Sequence, residues 1–130
     1  MRKLIVTAAL AVTAVAAVLA TATPASAATH KNGVVEAGEF GLFYLQNQGG
    51  YAFDLFIDDD NFADDVFPGT GISADNNTES YWNRDISWWH VWTGASYSGS
   101  HGCLPAGHSG NASATFKNTI SSAYYSSSSC

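Results

Sequence analysis

The chain is poor in cations. Five Lys and Arg stand against eleven Asp and Glu over its 130 residues. Beyond residue 27 only Lys31, Arg84 and Lys117 remain against all eleven carboxylates, a net charge of −8 with neutral histidine. This argues against nucleic acid as a partner, because phosphate binding needs clustered Lys and Arg. Metal cations or a basic protein surface suit the charge better. Catalytic signatures are also missing. There is no His-x3-His, no Gly-x-Ser-x-Gly and no paired metal-ligand cysteines, and no acid pair is tied by motif to a cleft. The sequence reads as no enzyme. Cysteine occurs only at Cys103 and Cys130. In an oxidising compartment the default is one disulfide between them, which stabilises by roughly 2–4 kcal/mol. The alternative is a reactive thiol on Cys103 with His101 two residues away.

One long apolar run exists, from Leu4 to Ala20, preceded by Arg2 and Lys3 and followed by Pro24 and Ala25-Ser26-Ala27. Positive end, short apolar stretch and small-x-small site predict a signal peptide over residues 1–27. The run is short for a spanning helix and ends in a cleavage-type sequence. The expected product is residues 28–130, exported, extracellular, without a membrane segment and monomeric.

Those residues carry seven Phe, four Trp, six Tyr and all twelve Gly. This suits a packed, turn-rich β-protein and is the opposite of disorder. Residues 28–31 read as a frayed start. "FGLFYL", "YAFDLFI", "ISWWHVW" and "SATF" read as strands between turn residues. Tyr51, Phe53, Leu55 and Ile57 alternate, and Trp88, His90 and Trp92 oppose Trp89 and Val91. The chain also repeats itself. Phe43 precedes Gly50 by seven residues, as Trp92 precedes Gly99. "NNTESYWN" closes the first half and "KNTISSAY" the second. Matching Asn77 to Asn118, Thr78 to Thr119 and Ser80 to Ser121 leaves 27 residues from glycine to asparagine in one half and 19 in the other. The difference falls on the acidic loop from Asp58 to Asp65. Two halves too small to bury a face alone must pack on each other.

The spacing aromatic-x6-Gly, followed by an Asn/Asp and Ser/Thr motif, resembles the Greek-key motif of βγ-crystallin-like domains. "NNTESYWNRD" and "VWTGASYSG" are similar to phrases of the secreted actinobacterial peptidase-inhibitor family on that fold, which includes a metalloproteinase inhibitor and killer-toxin-like proteins. The resemblance spans roughly residues 40–125. It implies an all-β Greek-key sandwich, with motif one at about 40–85 and motif two at about 88–125. It also implies inhibition of an extracellular peptidase by a rigid loop, without locating the reactive bond. A calcium-binding structural or cell-envelope module and a killer-toxin-like or glycan-binding effector are the alternatives. No cofactor is required.

In crystallin-type sites, Asn/Asp and Ser/Thr oxygens cage a hard cation. Here the resemblance assigns Asn76, Asn77 and Ser80 to one possible calcium site, and Asn118 and Ser121 to the other. Equally, such residues hold turns together through side-chain to backbone bonds, and Lys117 and Tyr81 depart from the motif. The loop "DDDNFADDVF" lacks the glycine and glutamate of an EF-hand. It reads as a solvated loop, with a docking patch for a basic partner or a weak calcium site as alternatives. The tryptophans Trp82, Trp88, Trp89 and Trp92 read as core, or as a sugar-stacking row.

Overall fold

The structure is a computed structural model and describes residues 28–130; the expected signal peptide, residues 1–27, lies outside the described residues. Seven strands form: β1 (Phe40–Leu45), β2 (Gly49–Leu55), β3 (Ser80–Asn83), β4 (Trp88–Gly94), β5 (Ser98–Leu104), β6 (Ser109–Asn111) and β7 (Ser122–Ser126). One sheet has the order β2-β1-β3-β6 and the other β5-β4-β7, and the pairings are antiparallel. β6 of the second half completes the first sheet. In return an Asp59–Ala123 bridge from the first half extends the second. Each half thus closes the other's sheet, so neither can satisfy its edge alone.

The repeat is real, but its register differs by one residue from the sequence match. Phe43 pairs with Ser80, and Trp92 pairs with Ser122. Ser80 Oγ donates to Leu45 O and accepts from Gln48 N. Ser122 Oγ donates to Gly94 O and accepts from Tyr97 N. Each serine ties a hairpin turn whose third residue, Gln48 or Tyr97, sits at a φ of 56°, a left-handed conformation that a non-glycine residue holds only when its surroundings fix it. The partner of Ser80 is therefore Ser122, and Asn76 and Asn118, with φ of 58° and 57°, are the matching asparagines.

Phe40, Leu42, Phe53, Leu55, Phe62, Phe67, Trp89, Val91 and Ile120 form the core between the sheets. Phe40 stacks on Trp89 across the sandwich at 4.9 Å. Phe53 and Leu55 are inside as the alternation requires, whereas Tyr51, near the start of β2, and Ile57, past its end, lie exposed.

The expected frayed start is instead a docked arm. Lys31 N donates to Asp54 O at 3.0 Å, and Val35 packs with Phe43 and Ala52 on the outer face of the first sheet. Gly41 makes room for it, since a Cβ there would collide with Val35. These contacts join the arm to β1 and β2 at separations from 6 to 23 residues with no fixed spacing, so local sequence does not reveal them. The disulfide Cys103–Cys130 is formed, with Cα atoms 6.1 Å apart, and no cysteine is free. Among the described residues no helix is long and apolar enough to cross a membrane.

Candidate functional site

Asn83, the last residue of β3, is fully buried. Its Nδ2 lies 2.9 Å from Ser87 O, 3.1 Å from Leu104 O and 3.1 Å from Pro105 O, and donates to all three. Its backbone N donates to His108 O at 2.8 Å. One side chain thus joins two loops far apart in sequence, residues 84–87 and 104–108. Within the first, Asp85 Oδ1 accepts from Ile86 N and Ser87 N, and Asp85 Oδ2 accepts from Trp89 Nε1 at 2.9 Å. Arg84 Nη1 donates to Val35 O, and its guanidinium lies 4.7 Å from the Trp82 ring centroid. On this braced loop Ile86 is 94% exposed, the most exposed large apolar residue described. An apolar side chain held in water by fixed flanks has the form of a contact residue. Sequence reasoning missed the loop, because Ile86 reads as the start of a strand run and the Asn83 bonds to Leu104 and Pro105 that brace the loop span 21 and 22 positions.

The residues assigned to calcium come together differently from the expected sets. Ser80 spends its hydroxyl on the hairpin turn and is fully buried. Asn77 Nδ2 donates to Ser73 O. Both play the turn-holding role. Asn76 instead meets Ser121 of the other half: Ser121 Oγ donates to Asn76 Oδ1 at 3.2 Å, and Asn76 N donates to Ile120 O. Asp75, which sequence reasoning overlooked, accepts from Asn76 Nδ2 through Oδ2, while its buried Oδ1 has no partner. In the second motif, Asn118 N donates to Thr78 O and its side chain reaches Glu79 at 3.5 Å. Lys117 Nζ pairs with the same Glu79 oxygen at 3.8 Å. The oxygen sets are therefore shared between halves, and an ammonium stands beside the second.

The acidic segment is not a solvated loop throughout. Lys31 Nζ sits between Asp59 at 2.7 Å and Asp65 at 2.8 Å. Burial raises the Asp65 carboxyl to about 6, with the adjacent Asp59 adding to the rise and Lys31 opposing it. For Asp59, burial pushes the carboxyl up, but hydrogen bonds from Lys31, Asn61 N and Asp65 together with the Lys31 charge outweigh it, and the carboxyl is held low. Asp58, Asp60 and Asp64 remain exposed. Trp89 is core, as expected. Trp92 stacks on His101 at 4.2 Å, and His101 Nε2 lies 2.8 Å from His90 Nδ1. Burial, then the neighbouring His90, lowers the His101 pKa. Burial also raises the Glu39 carboxyl to about 7. A cleft of about 190 Å³ opens between the sheets, lined by Val91, Leu104, Phe116 and Ile120 among others.

Three similar solved structures are a chain from work on the evolution of the eye-lens βγ-crystallin domain fold, the N-terminal domain of Protein S, and a βγ-crystallin from an archaeon. The first has a TM-score of 0.59 at 15% identity, covering 69% of this chain and 86% of that one. The second has a TM-score of 0.53 at 17% identity, covering 67% and 93%. The third has a TM-score of 0.53 at 19% identity, covering 69% and 99%. At these identities the likeness establishes the fold: a βγ-crystallin-like sandwich. No curated protein matches the chain in sequence. A family model matches residues 28–104, more than half of the chain, and on that match the chain belongs to peptidase inhibitor family I36.

Proposed function

We propose that the protein is exported and acts outside the cell, as a monomer and not as an enzyme, by seating Ile86 in an apolar pocket of a peptidase, with residues 104–108 as the second contact. The observation that carries this reading is Ile86 standing 94% exposed on a loop pinned by Asn83 and Asp85. Ordering a free four-residue backbone costs about 1–2 kcal/mol per residue. A loop already held in place avoids most of that on association, and the gain appears as affinity. An apolar anchor also suits enzymes that select bulky aliphatic side chains, so thermolysin-like metallopeptidases head the expected targets.

The test is titration of the purified, oxidised protein against extracellular metallo- and serine peptidases, with Ile86→Lys beside it. The expected result is stoichiometric inhibition by the wild type and at least a hundredfold weaker inhibition by Ile86→Lys at unchanged melting temperature. Equal inhibition by both would remove Ile86 from the contact.

A second reading has its own observation, the partnerless Asp75 Oδ1 beside Asn76 and Ser121. Oxygens of this kind suit calcium, and the ion would tie the two halves together. A calcium-dependent rise in melting temperature that Asn76→Ala abolishes supports it; an identical melt in EDTA and calcium refutes it.

A further inference from the structure

A second group of oxygens lies away from both the loop pair and the Asn/Ser motifs. Glu36 is on the N-terminal arm, Glu39 immediately precedes β1 and Asp54 is in β2. Each offers a carboxylate oxygen within 4.8 Å of the others. Glu39 and Asp54 are both 0% exposed. The surroundings account for most of their oxygens. Asp54 accepts from Asn32 N at 2.9 Å and Gly33 N at 2.6 Å. Glu39 Oε2 accepts from Glu36 N at 2.8 Å. Glu36 accepts from Asn32 Nδ2 at 3.0 Å and Thr29 N at 3.4 Å. Glu39 Oε1 is buried and receives no N–H donor, and the Glu36 carboxyl is the side chain that faces Glu39 at hydrogen-bonding range. The salt bridges among the described residues join Lys31 to Asp59 and Asp65, and Lys117 to Glu79; none reaches this cluster.

Three carboxylates converge, two of them wholly out of water, and backbone amides supply the only donors to the buried pair. Burying a carboxylate without a counter-charge is costly. Folding nonetheless places both side chains here, next to the arm that binds Asp54 through Asn32 N and Gly33 N. The donor chemistry selects the class of ion. Calcium binds oxygen at about 2.3–2.6 Å, so oxygens across one ion stand up to about 5 Å apart, and these lie within that span. Magnesium demands a strict octahedron, gives up its water reluctantly and is seldom held by an all-protein cage, so carboxylates closed in under the arm suit calcium better.

We infer that Glu36, Glu39 and Asp54 hold one hard divalent cation of the calcium class, and that this ion fastens the N-terminal arm to the first sheet. Glu39 Oε1 supplies the otherwise uncommitted ligand. Glu36 and Asp54 each add an oxygen while keeping their amide bonds, since a carboxylate oxygen can accept more than one contact. The site shares no residue with the Asn76–Ser121 group and none with the Ile86 loop. It therefore stands or falls separately from the inhibitory reading.

The experiment is calorimetric titration of the oxidised protein with calcium and with magnesium. It is run on the wild type, on Asn76→Ala and on Glu39→Gln, with hydrogen exchange of the Asn32 and Gly33 amides in EDTA and in calcium. The expected result is calcium binding that Asn76→Ala retains and Glu39→Gln weakens at least tenfold, with magnesium weaker than calcium. Calcium should also slow exchange at Asn32 and Gly33 in the wild type. Glu39→Gln removes a buried charge without changing shape, so it should fold and melt in EDTA at or above the wild-type temperature. Calcium binding abolished by Asn76→Ala, unchanged in Glu39→Gln, or absent altogether would overturn the inference, and Glu39 would then simply hold a proton.

Discussion

Replacing Asn83 by Asp keeps the size and the Oδ1 acceptor that binds Asp85 N at 3.0 Å. It converts the Nδ2 donor, which serves Ser87 O, Leu104 O and Pro105 O, into an acceptor facing three carbonyl oxygens. An amide has two N–H groups, so two full hydrogen bonds' worth of donation is lost, shared over three carbonyls. Each lost bond costs about 0.5–1.5 kcal/mol, and a buried acceptor left unpaired costs about 1–3 kcal/mol. Together these give a destabilisation of about 2–4 kcal/mol. For a domain of this size that lowers the melting temperature by roughly 10–20 °C. The loops should also loosen together, because one side chain holds both. The assay is thermal and urea unfolding, with hydrogen exchange at Ser87 and His108 and the inhibition constant measured on the same sample. Faster exchange in both loops and inhibition at least tenfold weaker, at a temperature where the variant is still folded, is the expected outcome. If Asn83→Asp melts within about 2 °C of the wild type, or loosens one loop alone, the bracing argument is wrong.

Three further outcomes are expected. Lys31→Met leaves Asp59 and Asp65 facing each other without their shared cation, and urea unfolding should show a loss of about 1–3 kcal/mol. Asp65 has a folded pKa raised to about 6 by burial and by Asp59, against Lys31, so the folded state binds its proton more tightly than the unfolded chain does. Measured in EDTA against Asp65→Asn, the wild type's relative stability should therefore fall as pH rises from about 4 to about 6 and level off above; a flat difference would contradict the assignment. Gly41→Ala should cost about 1–3 kcal/mol through the collision with Val35, and faster exchange at Asn32 and Gly33 would show the arm lifting.

The sandwich, the two-motif repeat and the Cys103–Cys130 bridge were legible in the sequence, because each leaves a local mark: alternation, a fixed spacing, an even cysteine count. The register of the repeat was not. "NNT" and "KNT" match by identity at Asn77 and Asn118, yet backbone conformation matches Asn76 to Asn118. In the second half two adjacent serines, Ser121 and Ser122, compete for the structural position. Only the turn bonds to Gly94 and Tyr97 show that Ser122 takes it. The docked arm, the Lys31 bridge and the Asn83 clamp were illegible for a shared reason. Each depends on a tertiary partner that no spacing rule marks: Asp54 for the arm, Asp59 and Asp65 for Lys31, and Leu104 and Pro105 for Asn83. Ile86 was read as part of a strand run because an isoleucine before two tryptophans fits that pattern. The Asp85 carboxylate instead holds its backbone in a loop.

The central claim is that a βγ-crystallin-like sandwich of family I36 presents a rigid apolar loop to a peptidase. The most direct measurement is residual activity of a thermolysin-like metallopeptidase and of a secreted serine peptidase, titrated with the purified protein, with recovery of the complex by gel filtration. The account predicts a break in the titration at one inhibitor per enzyme for at least one of them, and a complex of that stoichiometry that Ile86→Lys fails to form. Undiminished activity of both enzymes at large molar excess, with no complex recovered, would contradict it.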